Sequence, residues 1–121
     1  MTPALVEVGR SIRNVMVSKY IQVSTTVSKK SDGESIARVL SEKHLSACVQ
    51  IASVTSVYQW KGKLQKSKEW SCVIKTKKNL YKKVEQAIKN LSPYELPEIV
   101  ANPILGGSKE YLAWMDDECG K

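Results

Sequence analysis

The sequence predicts an α+β domain of the ferredoxin-like class, a split β-α-β sandwich with the element order βαββαβ and a further C-terminal helix. Three observations predict it: an alternating apolar and polar stretch at 19–27, two long strand-like segments joined by Lys61–Gly62, and one amphipathic helical stretch in each half. With 121 residues, 42% of them hydrophobic, the chain suits one domain. We therefore predict a domain at 19–121, preceded by a leader or flexible N-terminal arm at 1–18.

The first strand and helix occupy residues 19–45. The stretch "KYIQVSTTV" alternates apolar and polar residues, several of them β-branched, which is typical of a strand. Ser31 or Asp32 can cap the helix that follows, and Ser31 with Glu34 matches a capping box. We expect this helix to end near His44–Leu45.

A long hairpin follows. In its first strand, 47–60, the apolar residues change from odd to even positions, which predicts a bulge or bend around Ala52–Val54. Lys61–Gly62 is a two-residue turn in which Gly62 can take a positive φ. The return strand places Trp70, Cys72 and Ile74 on one face and Val73 and Lys75 on the other. Because both strands are longer than one small sheet needs, we predict that another copy covers their edges.

The second half begins with a helix whose apolar stripe runs from Leu80 to Leu91. Pro93 ends this helix because proline cannot continue it. The stretch "EIVANPIL" then predicts a fourth strand, and its Pro103 favours an edge position. After two glycines, Ser108 is the expected cap of a short last helix.

Charge and cysteine content exclude several classes of protein. The 19 basic and 12 acidic residues give a net charge of +7, but the lysines are spread among polar residues, which indicates a solvated surface rather than a nucleic-acid interface. Tyr58 and Trp60 resemble the aromatic pair of an RNA-binding sheet, yet the matching motif on a second strand is missing. No apolar run approaches the roughly 20 residues of a membrane helix. Three cysteines without a CxxC favour a reducing compartment. We expect a cytoplasmic protein, with organellar targeting by residues 1–18 as the alternative.

The candidate metal ligands are Cys48, Cys72, Cys119 and the single histidine, His44. The turn at 61–62 places residues whose numbers sum to 123 opposite each other, so Cys72 faces Ile51 and Cys48 lies about 10 Å away. A site within one chain is therefore not expected, although symmetry could gather copies of Cys48, whose thiolate suits Cu(I). Cys48 as a small buried hydrophobe and His44 as a helix C-terminal cap are the alternatives.

Catalytic patterns are lacking in the sequence. One histidine leaves little choice for a catalytic base, and no glycine-rich phosphate loop is present. The stretch "SPYELPE" at 92–98 is a shaped connection, since it holds two prolines. Glu95 and Glu98 within it are three residues apart in an extended chain, so we expect them to face different directions about 10 Å apart. Lys75 is their expected partner, across the fold or across a subunit boundary, or a member of a salt bridge at the rim.

Five blocks in this order resemble the CutA family of divalent-cation tolerance proteins: "HLSACVQI", "VTSVYQWKGKLQKSKEW", "VIKTKK", "SPYELPEIVANPI" and "YLAWM". The resemblance covers about residues 19–116. It implies a cytosolic homotrimer similar in architecture to the PII signalling proteins, with strands of each chain extending a neighbour's sheet. It also implies a role in tolerance of copper and other divalent cations, and no catalysed reaction. Animal members are associated with membrane anchoring of acetylcholinesterase.

The resemblance further implies a cleft between subunits as the functional site. Its predicted lining residues are Lys75, Tyr94, Glu95, Glu98, Trp60, Tyr111 and Trp114, and the predicted metal ligands are Cys48 and His44. Many relatives carry histidine where this chain has Ser92, which removes a metal ligand at that position.

Three functions are consistent with these residues. The first is a trimeric, non-enzymatic protein that binds copper or another divalent cation. A PII-like module that binds a small anionic ligand is the second, and a scaffold or anchoring protein is the third. An acylphosphatase-like enzyme would need an arginine in the loop after the first strand, where "SKKSDGES" has none.

Overall fold

The computed structural model describes residues 18–121. The predicted leader, residues 1–18, lies outside this range except for Ser18. The elements are β1 Tyr20–Val27, α1 Lys30–Glu42, β2 Cys48–Trp60, β3 Lys63–Lys77, a 3₁₀ turn at Lys78–Leu80, α2 Tyr81–Leu91, β4 Val100–Pro103 and α3 Lys109–Glu118. The predicted βαββαβ order with a C-terminal helix is confirmed.

The four strands form one antiparallel sheet in the order β2-β3-β1-β4. Strand β4 is short and pairs only with β1, so that Pro103, opposite Ile21, lies on an edge strand as predicted. Pro103 lacks a backbone donor, and an edge strand is where that loss is tolerated.

The long hairpin keeps one continuous register, from Cys48 opposite Lys75 to Trp60 opposite Lys63. The expectation of a bulge around Ala52–Val54 is therefore wrong. Opposite residues sum to 123 along the whole hairpin, as the turn predicted.

The apolar residues of β2 change faces because the two halves of the strand have different neighbours. Val49 and Ile51 pack against the helix-covered core. Beyond Ser53 the better-buried residues are Val54 and Ser56, which point to the opposite face of the sheet. A strand without a bulge can therefore show the same change of apolar positions as a bulged one, when its two faces are covered along different parts of its length.

Helix α1 begins two residues earlier than a Ser31 cap allows. Its N-cap is Lys29, which makes no side-chain capping bond. Ser31 lies inside the helix, where its carbonyl oxygen accepts a bond from the Ser35 hydroxyl at 3.0 Å. The predicted capping box of Ser31 and Glu34 is therefore wrong, and Asp32 lies in the first turn, where a negative charge suits the helix dipole.

Helices α1 and α2 cover one face of the sheet and form the core with it. The core residues, most of them fully buried, are Ile21, Val23, Val27, Ile36, Leu40, Cys72, Ile74, Val84 and Ile88. The predicted stripe of α2 supplies Val84 and Ile88 to this core. The helix ends at Leu91, because Ser92 precedes Pro93 and adopts an extended conformation.

The sheet face opposite α1 and α2, here called the open face, is covered at one end by α3. Ser108 caps α3 as predicted, since its hydroxyl accepts a bond from the Tyr111 amide at 3.1 Å. Asp116 on α3 accepts a bond from the Tyr20 hydroxyl at 2.6 Å and forms ion pairs with Lys19 at 2.9 Å and Lys77 at 3.5 Å. We call these four residues the Asp116 cluster.

The tip of the hairpin, Val54–Glu69, projects beyond the rest of the sheet, and we call it the arm. Its β3 residues pair with β2 alone, since β1 begins its pairing with β3 at Trp70. At the turn Lys61 and Gly62 both have positive φ, 52° and 79°, which matches the twist of a two-residue hairpin. Large apolar side chains of the arm are exposed: Val57 by 60% and Leu64 by 69%.

Candidate functional site

The residues predicted to line one cleft fall into two groups at opposite ends of the open face. Trp60, Tyr94, Glu95 and Glu98 line a pocket between the arm and the 92–98 segment. Lys75 and Tyr111 are in contact at the α3 end, and Trp114 lies beside Tyr111. Glu69, at the pocket, precedes Lys75 by six residues on β3, a distance of about 20 Å. One chain therefore does not bring the seven residues into a single site.

We call the first group, with its neighbours, the acidic–aromatic pocket. Its volume is about 650 Å³, and it is lined by Thr26, Ser56, Val57, Tyr58, Trp60, Glu69, Tyr94, Glu95, Leu96 and Glu98. The arm contributes aromatic rings, β3 contributes a carboxylate, and the 92–98 segment contributes two more carboxylates and an apolar side chain. The lining contains three glutamates and no basic residue, although the chain as a whole carries +7.

Glu69 is the buried acid of the pocket and was not predicted from the sequence. Only 7% of the residue is exposed, and its carboxylate accepts a hydrogen bond from the Tyr94 hydroxyl at 2.5 Å. Burial of Tyr94, together with this bond and the negative charge of Glu69, raises the pKa of Tyr94 well above its ordinary value. Tyr94 therefore stays neutral and acts as a donor. The register assigned Glu69 to the open face, opposite Val54, but nothing in the sequence showed that Tyr94 covers it.

The 92–98 segment folds back on itself instead of running extended. Bends occur at residues 93–96, and the Tyr94 amide donates to the Ser92 hydroxyl at 3.1 Å. As a result Glu95 and Glu98 both line the pocket. Ser92, which stands where many relatives were expected to carry histidine, has a structural role in this bend.

The carboxylates of the pocket have no cationic partner in the part of the chain that the structure describes. No ion pair among residues 18–121 involves Glu69, Glu95 or Glu98. An ammonium group does lie near one aromatic wall: Lys61 Nζ is 6.0 Å from the centroid of the Trp60 ring. The predicted partner of the glutamates, Lys75, is at the other end of the face.

The second group, at the α3 end, centres on Lys75. Lys75 is directly opposite Cys48 in the β2–β3 register, so the two side chains share the open face. Lys75 Nζ lies 5.5 Å from the centroid of the Tyr111 ring, which packs 5.4 Å from the Trp114 ring. Cys48 is half-buried. This end of the face thus combines a thiol, an ammonium group and two aromatic rings.

His44 is the other predicted metal ligand. It lies just after α1 with a positive φ of 57°, and its backbone amide donates to the Ser41 carbonyl at 3.1 Å. Cys72 and Cys119 are buried, and burial raises the pKa of both thiols. Within residues 18–121 no three His, Cys, Asp or Glu side chains are gathered closely enough to hold a metal ion.

Comparison with known proteins identifies the family. Residues 21–118 match the family model described as CutA1 divalent ion tolerance protein. The chain belongs to the CutA1 family. Over 99 residues it is 38% identical to the divalent-cation tolerance protein CutA of Thermus thermophilus, which covers 81% of this chain and 96% of that protein. It is also 36% identical to the chloroplastic CutA protein of Arabidopsis thaliana over 78% of this chain, and it spans about half, 53%, of that protein.

Solved CutA structures have the same fold. The periplasmic divalent cation tolerance protein CutA of Archaeoglobus fulgidus superimposes with a TM-score of 0.80 at 33% identity, covering 82% of this chain and 97% of that one. Since named CutA relatives are chloroplastic or periplasmic, the compartment varies within the family. None of the helices within residues 18–121 has the length and apolar character needed to span a bilayer.

Proposed function

We propose that this CutA protein acts as a homotrimer that binds a divalent cation, with copper as the leading candidate, in clefts between protomers, and that it does so without catalysing a reaction. The observation that carries the proposal is the division of the predicted cleft residues between two ends of the open face. Neither end is a complete site, and one chain cannot bring them together.

A head-to-tail contact in a closed ring places one surface of a protomer against a different surface of the next, and we propose that the two ends of the open face meet in this way. The arm supplies the apolar surface that a stable interface needs, since Leu64 is largely exposed in the single chain.

Cys48 is the proposed soft ligand for copper. Thiolates favour Cu(I), and Cys48 is the half-buried cysteine of the three, while Cys72 and Cys119 are buried. The remaining ligands would come from a neighbouring protomer, because residues 18–121 of one chain do not gather a ligand set.

Two measurements test the proposal. Sedimentation equilibrium should give the mass of three chains. Titration of the assembled protein with Cu(I) and with Cu(II) should show copper binding that Cys48→Ser abolishes. The His44→Gln variant tests whether His44 is a second ligand. Equal binding by wild type and Cys48→Ser would remove Cys48 from the site, and a monomeric mass would remove the cleft itself.

A second function, recognition of a small anionic ligand as in PII-like modules, is favoured by Lys75. Its ammonium group lies over Tyr111 and forms no ion pair within residues 18–121. An anion would contact this end, since the carboxylates of the pocket would repel it. A thermal-shift screen with nucleotides and organic acids should then show ligands that stabilise wild type and not Lys75→Gln.

A further inference from the structure

We propose that the acidic–aromatic pocket binds an organic ammonium ion, the protonated form of an aliphatic amine. The inference rests on the proposed trimer in one respect: the pocket must remain open to solvent at the cleft between protomers. It is independent of copper, whose proposed ligand, Cys48, is at the other end of the open face.

The first argument is the uncompensated charge of Glu69. A carboxylate that is nine-tenths buried is costly unless a cation or several donors stabilise it. Within residues 18–121 Glu69 has one neutral donor, Tyr94, and no cation. Asp32 also contributes negative potential here, since its charge helps to raise the pKa of Tyr94. A positively charged ligand would supply the missing counter-charge.

The second argument is the shape and lining of the pocket. A volume of about 650 Å³ far exceeds the space of a single metal ion, and the glutamates do not converge into a coordination group. The walls between them are apolar or aromatic, formed by Val57, Tyr58, Trp60 and Leu96. A cation that carries a hydrocarbon chain matches this lining, because its chain can contact the apolar walls while its ammonium group reaches the carboxylates.

The third argument is that the pocket presents aromatic faces suited to ammonium groups. Trp60 already has the Lys61 ammonium group near its ring, at 6.0 Å from the centroid. Attraction between a cation and an aromatic face is strongest where water is partly excluded, as in a pocket. Tyr58 and Tyr94 line the same pocket as Glu69 and add two more aromatic rings to it.

The test uses the full chain in its assembled state and pentylamine as the probe. Calorimetric titration should show binding of pentylamine at millimolar concentrations. Pentanol and pentanoate, which have the same chain with no charge or a negative charge, should not bind. Magnesium ions, added alone, test whether any cation suffices.

Matched variants locate the site. Glu98→Gln and Glu95→Gln, both exposed at the rim, should each weaken pentylamine binding about tenfold, because each removes one charged partner. Trp60→Leu should weaken it about fivefold through loss of the aromatic face. Glu110→Gln, an exposed glutamate on α3 outside the pocket, is the control and should leave the affinity unchanged.

Several outcomes would overturn the inference. Equal binding of pentanoate, binding of magnesium in place of the amine, or pentylamine binding that survives Glu95→Gln and Glu98→Gln would each do so. Binding by dissociated chains but not by the assembly would show that a neighbouring copy fills the pocket, which also rejects the proposal. Mass and Cu(I) binding are measured on the same samples, so failure of the amine site is distinguished from failure of the trimer or of the copper site.

Discussion

The helix-covered part of the sheet and the arm share strands β2 and β3, yet one is covered by helices and the other is exposed. Ile74 on β3 is fully buried beneath the helices, whereas Leu64 on the same strand is 69% exposed. In the first region one chain supplies both the sheet and its cover. The arm has only strand pairing, and a two-stranded ribbon is at best marginally stable alone. The core therefore explains why the chain folds, while the behaviour of the arm depends on what covers it.

The acidic–aromatic pocket lies where these two regions meet. Glu69, the last residue of the arm, is buried because Tyr94 folds over it, and Trp70, which follows it, already packs against the core. The pocket thus has one wall fixed by the core and another formed by the arm.

The largest expected effect is in the core. Leu40→Ala removes a fully buried side chain and should lower the free energy of unfolding by about 2–5 kcal/mol. Leu105→Ala, at a position that is 76% exposed, is the matched control and should change it by less than about 0.5 kcal/mol. Urea denaturation measures both. Similar losses for the two variants would contradict the division between a self-contained core and its exposed surface.

At the boundary, Tyr94→Phe removes the donor to Glu69 and leaves its buried carboxylate without that bond. We expect a loss of about 1–3 kcal/mol in unfolding free energy. Tyr111→Phe is the matched control, because the Tyr111 contacts are ring contacts with Lys75 and Trp114. Urea denaturation measures the free energy of unfolding of both variants. If both lose the same amount, the Tyr94–Glu69 hydrogen bond does not stabilise the fold.

In the arm, Leu64→Ala tests whether another copy of the chain covers the exposed Leu64 side chain. If it does, the substitution should weaken assembly by about 1–2 kcal/mol per protomer. Sedimentation across a range of protein concentrations should then show dissociation at higher concentration than for wild type. Leu105→Ala, exposed but outside the arm, should not shift the curve; an unshifted curve for Leu64→Ala would mean that Leu64 remains in solvent.

The smallest effect is electrostatic and concerns the attachment of α3. The bond from Tyr20 and then that from Lys19 hold the pKa of Asp116 below its ordinary value of 3.8. A lowered pKa in the folded state means that this contribution to stability is complete above the ordinary pKa and is lost as pH falls through the lowered one. Thermal melts should therefore show wild type more stable than Asp116→Asn at neutral pH, with the difference vanishing in strong acid. The exposed neighbour Asp117→Asn is the control, and a difference that persists in acid would exclude this origin.

Much of the fold could be predicted because its signals are local. The Lys61–Gly62 turn fixed the register of the whole hairpin, and the spacing from Val84 to Ile88 with the break at Pro93 fixed α2. The N-terminus of α1 was misplaced because Lys29 caps it without any side-chain bond, so no residue type marked the position.

The sequence identified several residues of the pocket but did not show how they are arranged in space. Trp60, Tyr94, Glu95 and Glu98 do share a pocket, yet Lys75 is at the far end of the face. Glu69 was missed because its burial depends on Tyr94, which is 25 residues away along the chain. Such contacts depend on how the 92–98 segment bends, and two prolines alone do not determine that path.

The turn at Lys61–Gly62 also has a consequence for the order of folding. It joins residues adjacent in sequence, so the hairpin can close from its tip in about 1–10 microseconds, whereas pairing of β3 with β1 must first close a long loop. We therefore expect the arm to form transiently, with bare edges, before its partners do. Lys63, Lys66 and Lys68 are exposed along the return strand, and edge lysines discourage pairing with the wrong chain. We expect the basic character of this chain to protect nascent hairpins during that interval.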